Sequence, residues 1–267
     1  MSSFPIQPIS EDGRWLVHFG LVFILYPRRF IASEFDHALE VYRKFSPDGS
    51  WKYFKVAESL LWDSVLNPVL RTHEMDRSFL SGIHERIAEG WRTELHLWNG
   101  ERPEAWEFQC GRIARNGSFE VPAFYRIVLP VDTHPEMLLQ IATELTGGIE
   151  AISGHGGYCF SYNPSYKLQA FDRIYPLSSR YWCIEIDDLD ITPKVVREAI
   201  KGVNWLTVIG SQFLENERVE SIIRELGKQL QIQWHKANHG LMIIADDHPI
   251  TGDRHRHNQG LSRYFEL

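Results

Sequence analysis

Cysteine is scarce in this sequence. Cys110, Cys159 and Cys183 are the three present, widely spaced, with no CxxC pair. An odd, scattered set argues against a disulfide framework and against a cysteine-based zinc site. It reads as buried inert thiols in a reducing compartment. Long apolar runs are lacking too. The most apolar early stretch, Leu16–Tyr26, is too short to span a bilayer and contains His18. Glu11, Asp12 and a single Arg14 precede it, and Pro27-Arg28-Arg29 follows it. No signal peptide and no transmembrane helix is therefore expected. Dense basic runs are missing as well: the formal charge is −7 and the pI about 5.9. Gripping nucleic acid draws most of its affinity from neutralised phosphates, so direct nucleic-acid binding is not expected. A mild acidic excess suits a partner with a basic surface.

Catalytic signatures are equally thin. There is no GxSxG elbow, and no serine or cysteine stands in a catalytic setting. Gly147, Gly148, Gly154, Gly156 and Gly157 form a glycine cluster. The order Gly154-His155-Gly156-Gly157-Tyr158-Cys159 matches neither GxGxxG nor GxxxxGK[ST], so it reads as a turn or bulge beside a packed strand. His155 and Cys159 are four apart, a helical spacing that the glycines oppose. Glu104 and Glu107 belong to no motif. The expectation is a non-enzymatic protein without cofactor or metal. One cluster keeps an alternative open: Asp246, Asp247, His248, Asp253, His255 and His257 could serve a small metal-dependent hydrolase. Its Pro- and Gly-containing setting reads first as a solvated turn.

What is present is a globular composition. The 267 residues are 43% apolar and 24% charged, enough to bury a sizeable core as a single domain over 1–267. Leu21–Tyr26 reads as a strand buried on both faces and ended by Pro27. Phe35, Ala38, Leu39, Tyr42 and Phe45 mark one face of a helix with Ser33 as its N-cap. Met75, Phe79, Ile83 and Ile87 mark a second helix, terminated at Gly90. Strands are expected over Arg92–Trp98, Trp106–Ile113 and Phe119–Leu129, the last two joined by a hairpin at Asn116-Gly117. Leu138, Ile141, Ala142 and Leu145 then mark a helix with a Thr133/Glu136 capping box and an end at Gly147-Gly148. The order strand, proline, helix thus occurs twice, suggesting two related halves divided near 1–118 and 119–267.

Further on, Arg180–Asp187 alternates as a strand, and Thr192-Pro193 opens a helix carrying Val195, Val196, Ala199 and Ile200. Val219, Ile222, Ile223 and Leu226 mark another helix. Leu230, Ile232 and Trp234 alternate on a strand whose partner is Leu241–Ala245. The fold class is α+β, with mixed or antiparallel sheets flanked by helices. Glu185, Asp187, Asp188 and Asp190 crowd into six residues, and Glu215 and Glu217 lie further along the same acidic stretch. Either this is a solvated loop or these six carboxylates form a partner-binding face; charge pairing of that kind speeds encounter and enforces specificity.

Several landmarks occur in a familiar order: Gly154-His155-Gly156-Gly157-Tyr158-Cys159-Phe160; Tyr181-Trp182-Cys183-Ile184-Glu185-Ile186-Asp187; Ile200-Lys201-Gly202-Val203-Asn204-Trp205-Leu206-Thr207; and Gly240–Ala245 through Pro249, Gly252-Asp253 and Leu261–Tyr264. In this the chain resembles the type VI secretion immunity family, most strongly over residues 120–265. In that resemblance Tyr181–Asp187 corresponds to a central strand. Two departures are Glu185, where a glycine is more usual, and the acidic Asp246-Asp247-His248. The resemblance implies a cytoplasmic antidote that binds a cognate antibacterial nuclease effector, without touching DNA or membrane, and blocks its active site or its assembly. It carries over no catalytic residue.

Overall fold

The computed structural model of the chain describes residues 9–11, 14–47, 53–57, 70–71, 77–90, 93–99, 106–112, 123–189, 192–196, 199–202, 204–215, 220–223, 225, 227 and 232–254. In chain order the elements are β1 (Ile9–Glu11), β2 (Arg14–Pro27), α1 (Ala32–Phe45), β3 (Tyr53–Ala57), β4 (Leu70–Arg71) and α2 (Arg77–Ala88). Next come β5 (Thr93–Trp98), β6 (Glu107–Arg112), β7 (Phe124–Pro130), α3 (Pro135–Gly148), β8 (Ala151–Tyr162) and α4 (Lys167–Ser178). The chain ends through β9 (Glu185–Ile186), α5 (Thr192–Val195), β10 (Leu206–Gly210), α6 (Ser211–Leu214), β11 (Gln233–Ala237) and β12 (Gly240–Ile244). The fold is α+β, as the periodicities imply. One 12-stranded sheet runs β11-β12-β10-β8-β2-β7-β6-β5-β3-β4, with β1 added on β2 and β9 on β8. Every pairing is antiparallel except β8 with β9.

The longest strand, β2, lies at the centre because its side chains are apolar on both faces. Leu21, Phe23 and Leu25 point to one side, where Phe35, Leu39 and Tyr42 of α1 and Leu138, Ile141 and Leu145 of α3 complete a core. Val22, Ile24 and Tyr26 point to the other side and pack with Phe124, Val128, Cys159 and Val196. At one end of the β2–β8 pair a separate cluster joins Leu16, Phe19 and Phe160 to Ala170 and Ile174 of α4. The two strand–proline–helix units both form, and their helices lie side by side: His37 Nε2 is 3.0 Å from the Glu144 carbonyl oxygen, and Lys44 pairs with the Glu144 carboxylate. Ile83 and Ile87 of α2 join the same core, and Gly90 ends that helix with φ at 70°. β11 and β12 pair as expected.

Local details differ from expectation. Helix α1 begins at Ala32 with Ile31 as its N-cap, not Ser33; Phe30, buried against Tyr125, draws the chain inward just before it. Helix α3 is capped by His134, whose Nδ1 accepts from the Glu136 N–H at 3.4 Å, because Pro135 occupies the first helical position and leaves its predecessor as the cap. The expected Arg180–Asp187 strand shrinks to two residues. β2 and β10 already flank β8 over Ser153–Gly156, so β9 pairs only with Cys159–Phe160, beyond the end of β10. Tyr181–Asp187 is thus a short edge addition and not a central strand. The predicted helix after Thr192 is four residues long. The Asn116-Gly117 turn lies outside the described residues.

Of the glycine cluster, Gly147 and Gly148 close α3, while Gly154, Gly156 and Gly157 sit inside β8 itself. A Cβ on Gly156 would come within 2.8 Å of Phe23 Cδ2, and one on Gly154 within 2.9 Å of the Ile24 carbonyl oxygen. The absence of side chains there lets β8 close against the bulky centre of β2.

Candidate functional site

Strand register places a row of polar side chains on the sheet face opposite α1 and α3. Across β5, β6 and β7, His96 opposes Gln109 and Gln109 opposes Arg126, while Glu94 and Glu107 lie on the same face two residues away. The row is buried, and its members pair with one another. Gln109 Nε2 donates to Glu94 Oε1 at 2.6 Å. Glu107 Oε2 lies 3.1 Å from His96 Nε2 and 3.3 Å from Arg126 Nη1. Arg126 Nη2 donates to Ser161 Oγ on β8 at 2.9 Å, and its Nε donates to Asp187. Burial works against the guanidinium charge, but the carboxylates of Asp187 and Glu107 outweigh it and raise the pKa of Arg126 above its ordinary value. Arg126 is therefore a buried cation held by two carboxylates from different elements.

This places the acidic segment. Asp187 and Asp188 are buried: Asp187 is paired with Arg126 and Asp188 with Lys167 at 3.2 Å. Glu185 is half-buried and 3.1 Å from Lys201. Glu215, at the end of α6, is exposed. Asp190 and Glu217 lie outside the described residues. The carboxylates that looked like one acidic surface are thus divided, two of them turned inward as fasteners.

Another acidic surface forms where two distant stretches meet. The β7–α3 loop carries exposed Asp132 and His134, the first turn of α3 carries exposed Glu136, and the segment after β12 carries Asp246, Asp247 and His248. The rings of His134 and His248 lie 6.4 Å apart. No Lys or Arg occurs between Arg126 and Lys167, or between Lys236 and Arg254. Neither stretch brings a Lys or Arg of its own to this junction.

The described part of the Asp/His tail is drawn apart. Asp253 is buried and takes both its oxygens to Arg180, at 3.0 and 2.9 Å. Asp246 Oδ1 accepts from the Asp247 N–H at 2.8 Å, and the Asp246 carbonyl accepts from Trp205 Nε1 at 2.7 Å. His255 and His257 lie outside the described residues, and among the described residues no three His, Cys, Asp or Glu side chains are grouped to hold a metal. His155 and Cys159 share one face of an extended strand and are not helical neighbours. Burial pushes the Cys159 thiol well above its ordinary pKa, with the Asp187 charge adding to the effect, so it is not an activated nucleophile.

The charged row was not found from sequence, and a signal existed for it. Arg126 is the one charged residue in Phe124–Pro130, an otherwise apolar strand. Glu94 and His96 alternate with Leu95 and Leu97, a pattern that normally marks a wet face.

No helix among the described residues is long and apolar enough to cross a membrane. No curated protein matches the chain. Among solved structures, the Pseudomonas aeruginosa T6SS protein PA0821 superposes with a TM-score of 0.71 at 14% identity, over 99% of this chain and 73% of that one. At that identity the likeness is one of fold. The family model TsiV, described as type VI immunity for VRR-NUC, matches residues 102–267, the part that contains Arg126, Asp187 and both acidic surface segments. The chain belongs to this family of type VI immunity proteins.

Proposed function

We propose that this protein neutralises a cognate VRR-NUC nuclease effector of a type VI secretion system by binding it one to one in the cytoplasm. It acts by occupying a surface the nuclease needs, its active site or its assembly face, and carries out no chemistry of its own. The observation that supports this mode beyond family membership is the acidic junction of Asp132, Glu136, Asp246 and Asp247. A nuclease holds its substrate through cations that neutralise phosphates, and such a surface pairs with an array of carboxylates. Glu185 and Glu215 are further candidate contacts; Asp187 and Asp188 serve the fold instead.

The test is co-expression of the full chain with the nuclease encoded beside it. Growth rescue and co-purification are expected. Failure of both removes the reading. With binding established, Asp132→Lys combined with Asp247→Lys is expected to slow association about tenfold or more at low salt, with the difference shrinking as salt rises. An unchanged rate would move the interface elsewhere on the molecule.

A further inference from the structure

Strand β11 ends the sheet on one side, and among the described residues no strand pairs with its outer edge. The ladder shows which of its backbone groups face outward. The Ala245 N–H donates to the Trp205 carbonyl and the Ser211 N–H to the His239 carbonyl, so Leu241 and Ile243 of β12 turn their backbone toward β10. Gly240, Met242 and Ile244 then bond to Ala237, His235 and Gln233 of β11. The residues that face outward are Ile232, Trp234, Lys236 and Asn238. The outer two are engaged: the Ile232 N–H donates to the Gly227 carbonyl and the Asn238 N–H to the Thr146 carbonyl. The N–H and C=O groups of Trp234 and Lys236 have no backbone partner among the described residues. They stand in the open, because Gln233, Trp234, His235 and Lys236 are all exposed, Trp234 by 51%, and alternate between the two faces of the strand.

We propose that this edge is an interface between two copies of the chain, paired antiparallel through β11 about a two-fold axis at His235. An open strand edge is a template for another strand, and a two-fold axis requires that the surface fit itself. With the axis at His235 all five residues of β11 are paired, and Trp234 of each copy lies opposite Lys236 of the other. Both open residues then sit in hydrogen-bonded pairs, which gives four N–H to C=O bonds across the axis. Trp234 and Lys236 share a face, so each ammonium meets an indole ring directly across the junction. Lys236 makes no ion pair with a described residue, which leaves its charge to that contact. On the other face His235 meets His235, and Gln233 meets Ala237. The neighbouring registers are poorer. An axis at Lys236 would oppose like charges, and one at Trp234 would need the Ile232 N–H that Gly227 already holds. Residues 227–245 contain no Asp or Glu, so the hairpin offers no counter-charge to a cationic strand of a nuclease. That favours a second copy as the occupant. Five residues of edge are a small contact beside the roughly 1,200–2,000 Å² of stable interfaces, so the pairing is weak and reversible.

Sedimentation velocity of the full-length protein at rising concentration tests the pairing. The mass is expected to climb from 31.1 kDa to twice that value. Lys236→Pro removes one outward N–H from each copy and leaves the β11–β12 ladder intact, because that N–H does not serve it. It is expected to raise the dimer dissociation constant about tenfold or more, with thermal unfolding close to that of the parent protein. Trp234→Ala keeps every backbone bond, removes both contacts between ring and ammonium, and is expected to weaken the dimer about fivefold. A chain that stays at 31.1 kDa at every concentration overturns the proposal, as does a dimer that Lys236→Pro leaves equally tight. Should Lys236→Pro not fold, a dimer untouched by Trp234→Ala overturns it instead. If the chain is monomeric by itself and Lys236→Pro weakens its capture of the nuclease, the edge serves the effector and self-pairing is wrong.

Discussion

The two faces of the sheet are made by alternate residues of the same strands, yet they are held in different ways. Toward α1 and α3 the strands present Leu21, Phe23, Leu25, Tyr125, Ile127 and Leu129, all within one apolar core. On the opposite face β5, β6 and β7 present Glu94, His96, Glu107, Gln109 and Arg126, equally buried and closed by mutual pairing. Dispersion and water exclusion hold the first face, and they are non-directional: a swap that conserves volume changes little. The second depends on a charge count and on donor geometry. Removing one member leaves another buried without a partner. The helix face thus supplies bulk stability, while the charged face, through Arg126, fixes where Asp187 docks.

The largest effects should come from breaking each face in its own way. Arg126→Met removes the cation that Asp187 and Glu107 share, leaves Glu107 only its His96 partner among the pairs described, and is expected to cost about 3–5 kcal/mol in urea denaturation. Phe23→Ala, on the helix face, should cost a similar 3–5 kcal/mol or so by leaving a cavity. Rescue tells them apart. Adding Glu107→Gln and Asp187→Asn to Arg126→Met should recover most of its loss, since uncompensated charge is the chief penalty; the same pair added to Phe23→Ala should recover nothing. If the triple variant is no more stable than Arg126→Met, the charged face is held by shape and the contrast between the faces collapses. A smaller effect is expected of Gly156→Ala, whose methyl meets Phe23 at 2.8 Å. Overpacking of that kind costs about 1–3 kcal/mol. Combining it with Phe23→Leu, which makes room, should reduce the loss.

How much of this was legible beforehand differs between the faces in the same manner. The helix face was readable, because periodicity registers apolar residues directly: the Leu21–Tyr26 run, the Phe35–Tyr42 stripe and the Leu138–Leu145 stripe all occupy the core they suggested. The charged face was not, because alternation shows which residues share a side and not whether water reaches that side. Leu95 and Leu97 against Glu94 and His96 give the same pattern for a strand that is half wet and for one buried beneath other chain. Likewise, Glu185, Asp187 and Asp188 gave a local charge excess, while the cations that absorb it, Lys201, Arg126 and Lys167, come from elsewhere in the sequence. Pairing between distant segments is a property of topology, and a single sequence does not display it.

The finest separation of the two sides is by pH, with effects of about 1–2 kcal/mol and opposite sign. On the helix side, burial in the first turn of α1 raises the Glu34 carboxyl from 4.5 to about 7. Between those values the folded chain holds a proton that the unfolded chain has released. The contribution is present below pH 4.5 and is lost as pH rises through 7. On the charged side, His155 is held neutral by burial and by Lys201, with a pKa below its ordinary 6.5. Here the unfolded chain takes the extra proton, so the contribution is present above 6.5 and is lost as pH falls. Urea denaturation from pH 5 to 8 should therefore show Glu34→Gln gaining on the parent protein toward pH 8, and His155→Gln gaining on it toward pH 5. Each slope is bounded at about 1.4 kcal/mol per pH unit, the value for one proton. Between pH 4.5 and 6.5 the two contributions oppose each other in the parent protein and flatten its profile, so only the single variants expose them. A Glu34→Gln profile running parallel to the parent throughout would mean that this carboxyl is hydrated in solution and that the helix side is indifferent to pH. The charged face would then be the only pH-responsive one of the two.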